Sequence, residues 1–277
     1  MRSLTLLLVC CGWCWPLAAE EVPLKLHWEK NYLTISGPNL PGEFIKIHYL
    51  EAYCRAGSTD ADWVKHTRMQ HTTELLEADP NGQHLKLKCQ VGDELVVNHD
   101  IRCTHDEVQF SIEAHNPTQQ RSEAHWAQPC IRLDRFTGGD QQSYLAKSFI
   151  FLDGELTRMP TRDWATEARY VPGQVWAPRG VDRNDVNPRP LSKLVPSNGL
   201  IGCYSADDKM IFATAFEPYQ ELFQGVAICL HSDFRLGGLK PGETKQIRGR
   251  IYLVPANVPA LLKRYAADFP EQVADAR

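Results

Sequence analysis

Along residues 24–115 the apolar positions recur at every second place. Leu85, Leu87 and Cys89 alternate with Lys86, Lys88 and Gln90, and Val108, Phe110, Ile112 and Ala114 alternate with Gln109, Ser111, Glu113 and His115. Between them Leu95, Val97, His99, Ile101 and Cys103 alternate with Val96, Asn98, Asp100 and Arg102. Successive side chains of a strand point to opposite faces, so this period predicts antiparallel strands with one face buried. Pro80-Asn81-Gly82 supplies turn residues between two of them. The second half continues in kind, with strands predicted at 147–152, 199–204, 209–215, 225–231 and 244–254. Only the end has helical spacing: Val258, Leu261, Leu262, Tyr265 and Phe269 recur at three and four behind Asn257, a residue type that caps helices. The pattern predicts a mostly β chain, a large antiparallel β-sandwich with a short C-terminal helix.

One stretch breaks the rhythm. Residues 153–198 carry six prolines, Trp164, Tyr170, Trp176 and the charges Arg162, Asp163, Arg179, Asp182, Arg183 and Asp185. A long insert of that composition in a compact domain reads as a binding loop or a lid, and its aromatic residues argue against disorder. At the other extreme of the chain, Met1-Arg2-Ser3 leads into an uncharged run from Leu4 to Trp15 and then Pro16-Leu17-Ala18-Ala19. This order is that of a secretory signal peptide over 1–19, leaving 20–277 as one sandwich domain that is secreted or periplasmic. The run is shorter than the roughly 20 residues of a membrane span, and no later stretch reaches that length without charge.

Removing Arg2 with the leader takes the formal charge from −4 to −5, and nothing in it points to nucleic acid. Of nine cysteines, Cys54, Cys89, Cys103, Cys130, Cys203 and Cys229 remain after the leader. Six thiols in an oxidising compartment permit disulfides without choosing a pairing, while Cys89, Cys103, Cys130 and Cys229 sit in apolar runs where a free cysteine serves as a small hydrophobe. There is no Cys-x-x-Cys pair, so a zinc knuckle is not expected.

Histidines are frequent on or beside the strands. His48 and Glu51 close one predicted strand, and His66 and His71 fall on what should be its neighbour, so these four form a candidate metal set. His66 and His71 are five apart, however, and would face opposite ways on a strand.

More specific is Ala114-His115-Asn116-Pro117-Thr118 followed by Glu123-Ala124-His125-Trp126-Ala127-Gln128-Pro129-Cys130-Ile131-Arg132-Leu133. Together with Leu152-Asp153-Gly154-Glu155-Leu156 and Leu239-Lys240-Pro241-Gly242-Glu243-Thr244, this order resembles the galactose-mutarotase-like (aldose-epimerase-like) superfamily, with the look of a secreted bacterial member. The resemblance spans most of 24–254. It implies an antiparallel supersandwich whose concave face binds a sugar, a histidine acting as acid and a glutamate as base. His125 matches the acid, whereas His231 stands in Ile228-Cys229-Leu230-His231-Ser232-Asp233-Phe234 where the family has its glutamate. Asp233 or Glu217 is then a substitute carboxylate.

The sequence therefore supports a carbohydrate-active or carbohydrate-binding protein with a glycan as partner. An epimerase, lyase or hydrolase would use His125 and His231, and Trp126, Gln128, Arg132, Trp176, Arg179, Glu217 and Asp233 would line the sugar, since rings stack on its apolar face and planar polar groups bond its hydroxyls. Core packing accounts for Trp126 equally well, and a backbone-bonded buried imidazole for His125 and His231. The alternatives are a metal-binding protein built on His48, Glu51, His66 and His71, and a structural envelope protein. No cofactor is implied, and nothing fixes an oligomeric state.

Overall fold

The computed structural model describes residues 22–57, 62–92, 94–165, 173–187, 190–225 and 228–274, with side chains up to 272. The expected leader, 1–19, lies outside the described residues, as does Tyr170. No described helix is long and apolar enough to cross a membrane.

Among the described residues two antiparallel sheets face each other. The first runs in the order β1 (Lys25–Glu29), β2 (Tyr32–Ser36), β3 (Phe44–Arg55), β9 (Ala124–Arg132), β16 (Cys229–Arg235), β15 (Tyr219–Gln224) and β12 (Gln174–Trp176), with β4 (Arg68–Met69) on β3. The second runs β11 (Glu155–Arg158), β10 (Ser148–Leu152), β13 (Ile201–Tyr204), β14 (Met210–Glu217), β17 (Thr244–Pro255), β8 (Glu107–His115), β7 (Val96–Cys103), β6 (His84–Val91) and β5 (His71–Ala78). The mostly β sandwich read from the pattern is the architecture found. Between the sheets the alternate apolar residues interlock, Ile45, Ile47, Leu222, Leu230 and Phe234 from one against Leu87, Val97, Ile101, Phe110, Ile112, Phe216 and Ile247 from the other.

Helix α3 (Val258–Asp268) and α4 (Pro270–Ala274) close the far side of the second sheet. Asn257 caps α3 as expected, its side-chain oxygen accepting from the Ala260 amide at 3.1 Å. Leu261, Tyr265 and Phe269 enter a cluster with Phe149, Phe151, Ile211 and Tyr252; each such buried side chain contributes about 2 kcal/mol.

The structure departs from the predicted elements in three places. Short helices α1 (Asp134–Thr137) and α2 (Gln141–Lys147) precede β10, where the pattern had no helix. The strand expected at 225–231 is the hairpin of β15 and β16, both flanked by buried residues on each face, so neither shows clean alternation. His66 lies not on a strand but in a one-turn π-helical segment, Trp63–Thr67, because Asp62 caps that turn, accepting from the amides of Val64 and Lys65. The long insert contributes strands β11 and β12, and residues 177–187 form a strap over the outer face of the first sheet, where Val181, Val186 and Ala177 pack on Val175 and Phe223.

Candidate functional site

Strand period decides what lies under the strap. In β16, Leu230 and Phe234 point into the sandwich core, so Cys229, His231, Asp233 and Arg235 share the outer face. The pairs Leu230–Ile131 and Phe234–Ala127 keep one register, which sets His231 across from Cys130 and Asp233 across from Gln128 on β9. On the other side of β16, Phe223 pairs with His231 and Glu221 with Asp233. A bulge in β3 between His48 and Ala52 turns Glu51 toward the same face. The result is a polar cluster on the middle strands of a sheet, closed over by the strap.

At its centre the Cys229 sulfur is 3.2 Å from His231 Nε2, and the Phe223 ring stands edge-on to the imidazole with centroids 4.6 Å apart. His231 Nδ1 is 3.5 Å from Asp233 Oδ1, near enough for ion pairing but outside hydrogen-bond geometry. The ligand atoms of Cys130, Cys229 and His231 all lie within 4.8 Å of one another, and among the described residues this is the group of three or more histidine, cysteine and carboxylate side chains so placed.

The carboxylates are buried and undersupplied with donors. Glu221 Oε2 accepts from the Asn187 amide at 2.9 Å, but its Oε1, both oxygens of Asp233 and Asp185 Oδ1 accept no hydrogen bond among the described residues. Asp185 Oδ2 takes His125 Nδ1 and Arg235 Nη1, each at 3.3 Å. Gln128 bridges the strap to β3, bonding Asn187 Nδ2 at 3.4 Å and Glu51 Oε2 at 3.3 Å.

Charge follows from this packing. Burial pushes Glu221 well above the carboxylate range and neighbouring Asp233 pushes it further. Burial also raises Asp233, to about 6, against the pull of His231. For His231 burial opposes the imidazolium, yet the Cys229 sulfur and Asp233 more than reverse it and hold the ring at about 10. A hydrogen bond from Cys130, then His231 and Arg132, hold the Cys229 thiol well below its usual range despite burial. Burial of Glu51 is outweighed by His48, His231 and Arg132, which hold it at about 2. The cluster thus sets a thiol held low beside an imidazole held high, with the Glu221 carboxyl pushed toward its neutral form.

Of the residues singled out from sequence, the structure brings His231, Asp233, Gln128 and Arg132 into this cluster, with Glu51 at its edge. His125 sits at the start of β9, a quarter exposed on Asp185, and does not face His231. Trp126 packs with Ala52, Cys54 and Trp63, and Trp176 packs in the core beside Trp164. Arg179 is exposed in the strap, and Glu217 lies on β14 in the other sheet, accepting from Gln272. The metal set does not assemble: His48 stacks on Tyr32 and faces Glu51 at 3.8 Å, His66 is exposed, and His71 lies edge-on to Tyr53. All six cysteines are buried free thiols. Cys130, Cys229 and Glu221 are not among the residues expected from sequence; the cysteines lie on separate strands with no Cys-x-x-Cys spacing, and Glu221 sits in a strand buried on both faces, while Cys229-x-His231-x-Asp233, three chemical side chains at strand period, is the signal the sequence holds.

No family model matches the chain, and no curated protein matches it. Its fold is similar to that of the Slr1438 protein of Synechocystis sp. PCC 6803, at 10% identity, over 87% of this chain and 99% of that one, with a TM-score of 0.45. A protein of Escherichia coli K12 provisionally described as an aldose 1-epimerase is similar at 10% identity over 83% of this chain and 98% of its own, TM-score 0.41. The α-galactosidase of Lactobacillus brevis is similar at 10% identity over 79% of this chain and 31% of its own, TM-score 0.40. At 10% identity these likenesses are of fold alone.

Proposed function

We propose that this protein binds a thiophilic metal ion, with zinc as the reference case, through Cys130, Cys229 and His231. The observation that carries the reading is the convergence of those three ligand atoms within 4.8 Å on two neighbouring strands. Zinc holds thiolate sulfur at about 2.3 Å and imidazole nitrogen at about 2.0 Å, so two such ligands stand about 3.5 Å apart in a tetrahedron; the 3.2 Å between Cys229 and His231 Nε2 needs little adjustment. Asp233 beside the other ring nitrogen is the carboxylate–histidine pairing that fixes the tautomer of a metal ligand. Three protein donors leave a fourth position for water or a ligand, the arrangement of sites that do chemistry rather than hold a fold together.

The test is equilibrium dialysis of the full chain with zinc and with cobalt. One equivalent retained, a cobalt–thiolate absorption band, and a loss of about 10-fold or more in affinity in His231→Ala and Cys229→Ser support the reading. No retained metal and no thiolate band would overturn it.

A second reading is favoured by a different observation. Two sets of planar polar groups join the strap to the sheet, Asn187 with Gln128 and Asp185 with Arg235 and His125. Such groups match sugar hydroxyls, so this face would bind a carbohydrate in a secreted or periplasmic protein. Screening the purified chain against immobilised glycans tests it, and an absence of binding across neutral and acidic glycans would remove it.

A further inference from the structure

The two sulfurs of the cluster are unlike the other four. Cys89 contacts Thr73 and His99 in the sandwich core, Cys103 donates to the Leu24 carbonyl at 3.0 Å, and Cys54 and Cys203 sit in apolar clusters, so all four have roles in packing. Cys229 instead touches an imidazole nitrogen at 3.2 Å and has a second cysteine within 4.8 Å. Its sulfur occupies space that only a glycine leaves: a Cβ on Gly225 would lie 2.6 Å from it. Cys130 lies across the ladder from His48, whose side chain, with that of Glu51, reaches solvent at 28% and 34% exposure, while the sulfur-bearing residues themselves are 2% and 4% exposed. Whatever reaches these sulfurs is therefore small.

We propose that Cys229 and Cys130 are a hydroperoxide-reactive thiol pair, in which Cys229 attacks, His231 supplies the proton and Cys130 resolves. The inference concerns the regulation of the same site and rests on the metal reading only for its zinc arm. As the Cys229 sulfur forms a bond to one peroxide oxygen and the oxygen–oxygen bond breaks, the thiol proton passes to His231 Nε2, 3.2 Å away. The leaving hydroxide takes the proton of His231 and departs as water, leaving Cys229 as a sulfenic acid and His231 neutral. Cys130 then attacks that sulfur, its thiol proton goes to the departing hydroxyl, and a second water is released as the disulfide forms. Two thiols and one hydrogen peroxide give one disulfide and two waters, the sulfurs losing the two electrons that peroxide gains.

Register makes the disulfide reversible. Cys229 pairs with Arg132, two residues beyond Cys130, so the bond joins diagonal neighbours and draws two strands together. Bonds formed in that way are the labile ones. A metal ion and an oxidant would also compete for the same sulfurs, since a metal-held thiolate is not free to attack.

The experiment treats the metal-stripped full chain with hydrogen peroxide and maps its cysteine peptides by mass spectrometry. The expected product is a peptide pair linked through Cys130 and Cys229, two hydrogens lighter and restored by dithiothreitol. In Cys130→Ser, Cys229 should accumulate as a sulfenic acid that dimedone captures. A linked pair elsewhere, sulfinic or sulfonic acid on Cys229 with Cys130 untouched, or no thiol loss would overturn the proposal; the unmutated chain decides this even if the variant does not fold. One equivalent of zinc should slow the oxidation about 10-fold or more. If the pair forms and zinc has no effect, the peroxide chemistry stands and the metal reading falls.

Discussion

His99 offers the sharpest test of how the interior is organised. It is an outlier in an apolar seam, 1% exposed between the two sheets, with Tyr49 Oη 2.9 Å from Nδ1 and Tyr53 Oη 3.2 Å from Nε2. Burial, with a smaller push from His71, lowers its folded pKa from 6.5 to about 3. The folded state keeps the ring neutral while the unfolded chain protonates it below pH 6.5, so the unfolded state binds the extra proton and stability falls as pH falls. Each pH unit in the window between 6.5 and 3 is worth about 1.4 kcal/mol, so lowering pH from 6.5 to 4.5 removes about 3 kcal/mol through this imidazole. His99→Gln keeps a donor and an acceptor but cannot titrate. Urea unfolding at pH 7, 5.5 and 4.5, followed by tryptophan fluorescence, should find the variant less stable at pH 7 by about 1–2 kcal/mol and less steeply dependent on pH by about 3 kcal/mol over the window. Parallel stability curves for the two proteins would refute the reasoning, because every other titrating group is common to both.

Three further expectations follow from packing. Asn116 is fully buried and ties two loops, donating to the carbonyls of Gln120 at 2.7 Å and Leu239 at 2.9 Å while accepting from the Thr118 amide; Asn116→Ala strands those groups and should cost about 2–4 kcal/mol in denaturant unfolding. At Gly249 an added Cβ would clash with the ring of Phe216, which packs over it on Phe110 of the same sheet, so Gly249→Ala should cost about 2–3 kcal/mol and lower Tm by several degrees. Arg264 on α3 holds Asp106 through two hydrogen bonds of 2.6 and 3.0 Å and also reaches Glu107. Arg264→Ala should cost about 1 kcal/mol, and the difference from the unmutated chain should shrink in about 1 M salt if the link is electrostatic.

The sheet architecture was legible because half-buried strands advertise themselves. Leu85 to Ala114 kept strict alternation, and the C-terminal helix announced its cap and its apolar stripe. Legibility failed where both faces of a strand are covered. β9, β15 and β16 carry buried side chains on each side, so Gln128, Glu221 and Asp233 look like interruptions of an apolar run when they are in fact the second buried face. The candidate site was half visible for the same reason. His231, Asp233, Gln128 and Arg132 could be named one by one, but pairing Cys130 with Cys229 depends on strand register across two distant segments, which no local spacing encodes. The π-helical turn that removes His66 from the sheet rests on the Asp62 cap, a small local effect that outweighed the expected strand.

The neighbours at the centre of the first sheet come from β3, β9 and β16, so Cys130 and Cys229 are separated in the chain by the whole of residues 131–228. Pairings of such long range form late and slowly during folding, because loop closure must precede any gain from contact. Half-built intermediates would therefore present the two sulfurs apart, and an ion supplied early would have no site to nucleate. Any ion held there acts on the finished sheet by mass action, slowing its opening rather than guiding its assembly. In time-resolved refolding, the thiolate signature of the site should rise with the last phase and serve as a clock for completion of the sandwich.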